Sequence, residues 1–167
     1  MSFSISKEIE FDAGHRVPLH ASKCKNPHGH RYKVQAFVTG ELITEGPESG
    51  MVRDFSIIKQ LLTERVHDVY DHGFIVHDQD HDLLDAFDGA FRGWKIIVVP
   101  FIPTAECLAK AIYDDLKANG LPGLQFVRVW ETPTSSASYD ELEEQFEEAQ
   151  QEAFQAIEEA ARDLASE

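Results

Sequence analysis

Residues 3–12 alternate apolar Phe3, Ile5, Ile9 and Phe11 with polar Ser4, Ser6, Glu8, Glu10 and Asp12, and residues 32–39 repeat the pattern. A period of two turns one set of side chains inward and the other to water, so each segment has to be a half-buried strand. The connection between them, residues 13–30, is too long for a tight hairpin turn and is crowded with titratable side chains. Such a loop between two strands is a functional loop on a rigid scaffold.

Charge singles out the same region. The chain has a formal net charge of -15, which argues against general binding of nucleic acid, because phosphate neutralisation requires a basic surface. Residues 13–40 nevertheless contain no Asp or Glu, while Arg16, Lys23, Lys25, Arg31 and Lys33 fall there with four histidines. At 167 residues with 43% apolar content the chain fits one ordinary domain. Residues 1–10 do not look like a leader, and no apolar run reaches membrane-spanning length, so a cytoplasmic location is expected. Cys24 and Cys107 sit in unlike settings, which argues against a disulfide framework.

Beyond the strands, Ile57, Ile58, Leu61, Leu62, Val66 and Val69 recur at helical spacing, with Asp54 or Ser56 as a cap. Residues 94–99 and 124–131 read as strands, and Thr104 caps a helix that carries Leu108, Ala111, Ile112 and Leu116 and stops at Gly120. The order predicts an α+β domain over residues 1–139, a largely antiparallel sheet with two helices on one face. Residues 73–93 read as an irregular insertion with a short helix near Leu83, Leu84 and Phe87, and the run from His77 to Asp82 as a solvated loop. Residues 140–167 hold eleven acids against Arg162 and carry a narrow stripe of Leu142, Phe146, Ala149, Ala153, Ile157, Ala160 and Leu164. They read as an acidic C-terminal helix that docks on its own domain or on a sister subunit.

His28 and His30 are two apart at the start of the second strand and so share a face, and His15 ends the first strand. Were the strands neighbours, three imidazoles would meet with one position left open, the pattern of catalytic zinc. A His-x-His pair alone more often just packs or hydrogen-bonds. Cys24 lies among cations that favour the thiolate, and it reads as a base or nucleophile, with a free surface thiol or the fourth ligand of a closed structural zinc site as the bland alternatives. Asp71-His72 has the form of a carboxylate-held proton-transfer imidazole, a dipeptide common by chance. Glu131 continues the inward parity of Val127 and Val129, where a carboxylate needs donors such as the adjacent N–H groups of a bound ring, unless it turns to water.

Six motifs in register resemble the 6-pyruvoyltetrahydropterin and 6-carboxytetrahydropterin synthase family: Phe11-Asp12-Ala13-Gly14-His15-Arg16, Cys24 with His28-Gly29-His30, Gly50-Met51-Val52-Arg53-Asp54-Phe55, Asp71-His72, Pro103-Thr104-Ala105-Glu106 and Trp130-Glu131-Thr132. The resemblance implies a tunnelling fold built as trimers stacked into hexamers, with sites at subunit interfaces. It implies His15, His28 and His30 as zinc ligands and Cys24 as proton acceptor. His72, with Asp71 behind it, would be the relay, and Glu131 the pterin anchor. Thr104 and Glu106 belong to its substrate-binding motif, and Arg16, Lys23 and Lys25 are the cations expected to attract a triphosphate. Cys24 lies four residues before His28, a gap similar to the carboxytetrahydropterin branch. That branch converts 7,8-dihydroneopterin triphosphate to 6-carboxytetrahydropterin, acetaldehyde and triphosphate, toward queuosine or related 7-deazaguanines. The alternatives are the pyruvoyl branch and a non-enzymatic, zinc-stabilised module that recruits a partner through its acidic helix.

Overall fold

The computed structural model describes residues 1–142 together with 146, 150, 154 and 162; the remainder of the expected C-terminal helix lies outside the described residues. Strand β1 (Phe3–His15) pairs antiparallel with β2 (His28–Gly40), and a 3-10 turn at Lys23–Lys25 sits in the loop between them. Helix α1 (Phe55–Leu62) follows and is capped by Asp54, whose carboxylate accepts the Ser56 N–H at 2.7 Å. A π-helical turn, Thr63–His67, and short α2 (Asp68–Tyr70) continue its buried row Ile58, Leu62 and Val66. Next come β3 (Gly73–His77), α3 (His81–Asp88), β4 (Ile96–Val99), α4 (Ala105–Ala118), β5 (Leu124–Thr132) and β6 (Ser135–Asp140).

The six strands form one sheet in the order β4-β3-β1-β2-β5-β6. From β1 to β6 every pairing is antiparallel, as expected, but β3 joins β1 in parallel and β4 joins β3 in parallel, so the sheet is mixed. The α+β class stands, with α1 and α4 burying Ile58, Leu62, Val66, Leu108, Ile112 and Leu116 against Tyr32, Val34, Val127 and Val129 of one sheet face. Burying side chains of this size contributes about 1.5–3 kcal/mol each, and the row is what fixes both helices to that face.

Residues 73–93 are more ordered than their glycines and acids imply. Ile75 and Val76 are buried on opposite faces of β3, and Phe87 of α3 packs its ring 5.3 Å from Phe74. A short strand covered on both sides shows no alternation, which is why the pattern was unreadable. The run from His77 to Asp82 is not a solvated loop either. Asp80 is 5% exposed; it caps α3 by accepting the Leu83 N–H and receives the Arg16 guanidinium through both oxygens.

Candidate metal and pterin site

The β1–β2 register sets His15 directly opposite His28, and Ala13 opposite His30. Residues opposite one another on antiparallel strands share a face, and so do residues two apart, so the three imidazoles converge by backbone geometry alone. Their ring centroids lie 4.5, 5.0 and 5.2 Å apart, and one ligand atom from each lies within 4.8 Å of the others. Gly29 allows this: a Cβ there would meet the Ala13 carbonyl oxygen at 3.0 Å.

The tautomers are fixed from behind. Nδ1 of His15 donates to the Pro103 carbonyl at 2.6 Å and Nδ1 of His28 to the Asn26 carbonyl at 2.8 Å, leaving Nε2 of each as a lone-pair donor. Nε2 of His15 and of His30 is buried without a hydrogen-bond partner, a costly state for a polar atom unless a cation completes it. Burial holds the His15 imidazolium pKa down to about 4, with the neighbouring His28 and His30 adding to the effect, and burial lowers that of His30 as well. Neutral imidazoles presenting Nε2 fit a divalent metal, and three nitrogens joined by no fourth ligand among the described residues suit zinc at an open site.

A cavity of about 240 Å³ opens on His15 and His28 and is lined also by His20, Cys24, Thr104, Glu106 and Glu131. Cys24 therefore shares the cavity without joining the metal-competent cluster. Glu131 reaches within 3.9 Å of His15 Nε2, and burial, then the charge of Glu106, raises its pKa. Thr104 also caps α4, its hydroxyl oxygen accepting the Cys107 N–H.

Not every expected residue gathers there. Arg16 is turned away to Asp80, and Lys23 and Lys25 project from the exposed turn, so none of the three lines the cavity. Arg16 forms half of a largely buried ion pair with Asp80 instead of presenting a bare charge to the cavity. His72 lines a different cavity, of about 640 Å³, with Asp12, Arg31 and Phe74. It is held there firmly: Nδ1 bonds to Asp71 at 2.6 Å, its own N–H donates to the Asp12 carbonyl, and its φ of 56° is the one positive value among described non-glycine residues. The Asp12 N–H and then His72 keep the Asp71 carboxyl below the usual carboxylate range. His20 and the carbonyl of Pro103 are site components that sequence reasoning passed over. A histidine in that loop was visible, whereas a backbone acceptor eighty-eight residues from its donor leaves no trace in the pattern.

The 6-pyruvoyl tetrahydropterin synthase family model matches residues 4–142. The 6-carboxy-5,6,7,8-tetrahydropterin synthase of Haemophilus influenzae is 38% identical over 141 residues, covering 83% of this chain and 99% of its own. That of Synechocystis sp. is 36% identical over 136 residues, 81% of this chain and 91% of its own. Among solved structures, an uncharacterized protein from Wolinella succinogenes superposes with a TM-score of 0.70 at 25% identity, over 84% of this chain and 99% of that one. The Caenorhabditis elegans 6-pyruvoyl tetrahydropterin synthase does so at 0.61 and 25%, over 84% and 96%. Sequence match, sheet architecture and the histidine cluster agree, and the chain belongs to the 6-pyruvoyl tetrahydropterin synthase family.

Proposed function

We propose that this chain is a zinc-dependent 6-carboxy-5,6,7,8-tetrahydropterin synthase acting on 7,8-dihydroneopterin triphosphate. The observation that carries the reading is the convergence, in one cavity, of buried unpartnered imidazole nitrogen with Cys24 and Glu131. The names of the relatives from H. influenzae and Synechocystis sp. support the carboxy branch. Zinc held by His15, His28 and His30 would supply Lewis-acid polarisation of the side-chain oxygens of the substrate. Glu131 accepts the paired N–H groups of the pterin ring, which removes the cost of its own burial. Cys24, on the same cavity wall, takes a proton from the substrate side chain, and Thr104 and Glu106 border the bound ring. Lys23 and Lys25 add positive charge beside the mouth for the triphosphate.

Cys24 and His72 line different cavities of one chain. We read the relay as joining Cys24 of one subunit to the Asp71–His72 pair of another, in a trimer-based assembly with sites between subunits. Products of this activity feed 7-deazaguanine chemistry such as queuosine formation.

The test is incubation of the zinc-loaded protein with dihydroneopterin triphosphate and identification of products by mass. Carboxytetrahydropterin, acetaldehyde and triphosphate are expected in equal amounts. A pyruvoyl product would move the chain to the other branch. No turnover by folded, zinc-loaded protein would refute the enzymatic reading.

A further inference from the structure

We infer that His20 is a substrate-binding residue that donates a hydrogen bond to a phosphate oxygen of the substrate, an inference that rests on the pterin triphosphate reading above. The loop carrying it is pinned through Val17. The Val17 N–H donates to the Cys24 carbonyl at 2.9 Å, and the His20 N–H donates to the Val17 carbonyl at 3.1 Å. His20 and Cys24 are thereby tied to one residue, and both line the site cavity.

Its ring is set in the opposite sense to the metal ligands. His15 and His28 each face a backbone carbonyl with Nδ1, which puts the proton there and leaves Nε2 as an acceptor. In His20 it is the Ser22 N–H that faces Nδ1, at 3.0 Å. Nδ1 has to accept, so the proton resides on Nε2, and the ring is an N–H donor rather than a ligand. The backbone thus writes two roles into three histidines of one cavity.

Apart from His20, the side-chain donors this cavity offers an anion are the small hydroxyls of Thr104, Ser135 and Ser136. Besides His15 and His28, which present Nε2 as acceptors, its titratable walls are Cys24 and the carboxylates Glu106 and Glu131; Arg16, the cation next in sequence to His15, is paired with Asp80. Glu131 is assigned to the pterin N–H groups, which leaves the opposite, oxygen-rich end of the substrate to be met by donors. The Nε2–H of His20 meets that requirement, and a phosphate oxygen is the acceptor whose charge makes such a bond strong.

The measurement compares two ligands on the Cys24→Ala background, where turnover is slowed enough to read binding before conversion: dihydroneopterin triphosphate and dihydroneopterin, which has the ring and side chain but no phosphate. Adding His20→Ala should weaken the triphosphate at least tenfold, the scale of one hydrogen bond to a charged group. Dihydroneopterin affinity and zinc content should not change. His20→Gln, whose amide NH2 can stand in for Nε2–H, should recover most of the loss and covers the case in which the alanine variant folds poorly. Equal weakening of both ligands, no weakening of either, or loss of zinc from His20→Gln would overturn the proposal. Failure of dihydroneopterin to bind the unmutated site would overturn the pterin reading first, and this proposal with it.

Discussion

Replacing Asp80 by Ala should cost the protein about 3 kcal/mol. The Asp80 side chain is 3% exposed and that of its partner Arg16 19%, so both ends of the pair have left most of their water behind. Removing one member of a fully buried pair costs about 3–5 kcal/mol, because the other charge is stranded. Partial exposure of Arg16 lets it regain some hydration and pulls the figure down, whereas loss of the α3 cap to Leu83 adds about 1 kcal/mol. For a domain of this size about 3 kcal/mol corresponds to a fall in Tm of about 6–12 °C. Asp80→Asn keeps an acceptor for Leu83 and one neutral hydrogen bond to Arg16, and should lose about half as much. The pH dependence has a definite sign. The Arg16 hydrogen bonds hold the Asp80 carboxyl below its ordinary 3.8, so its contribution is complete above that value and disappears as pH falls through the lower folded pKa. Urea denaturation of wild type and both variants at neutral pH and near pH 3 is the assay, with the gap between wild type and Asp80→Ala closing in acid. A neutral-pH difference within about 0.5 kcal/mol would show that the pair is solvated, as ordinary surface pairs are.

Purified protein should carry close to one zinc per chain by elemental analysis, and His28→Ala and His15→Ala should each lose most of it, since two nitrogens do not make a stable zinc site; full retention in both would refute the triad. Cys24→Ala should keep zinc while turnover falls on the order of a hundred- to ten-thousand-fold, the usual contribution of a proton-transfer group. If that variant loses zinc and melts earlier, Cys24 is a ligand instead. Removing residues 143–167, which lie beyond the family match, should leave zinc content and turnover nearly unchanged; an inactive but folded and zinc-loaded truncation would give the tail a role in the site.

How legible the fold was depends on where each instruction is stored. β1, β2, α1, α4 and β5 were readable because one face of each meets water, so that periodicity of two or 3.6 is written in the residues themselves. β3 was not: its Phe74, Ile75 and Val76 are covered from both sides by neighbours distant in sequence, and a three-residue apolar run after a glycine has no period to read. β6 hid for another reason, since its Ser135, Ser136 and Ser138 suggest a loop until Thr132, Trp130 and Arg128 of β5 offer them a ladder. In the site, the ligand set followed from strand parity plus one assumption, that β1 and β2 are neighbours. The fate of Arg16 did not follow, because its partner lies 64 residues away in a segment that looked solvated. Charge type was legible there; which charge it would meet was a property of the packed chain.

The bond from His15 to the Pro103 carbonyl has a kinetic consequence. All three histidines belong to the first hairpin, whose strands are close in sequence and can pair early, but the acceptor that orients His15 stands at the threshold of α4, eighty-eight residues later. Contacts of such separation form only after the intervening chain has collapsed. During synthesis the imidazoles emerge well before Pro103, and in that interval His15 is free to rotate and to protonate at either nitrogen. The final geometry of the histidine cluster is therefore a late product of folding, set by the docking of α4 rather than by the closing of the hairpin that supplies the imidazoles.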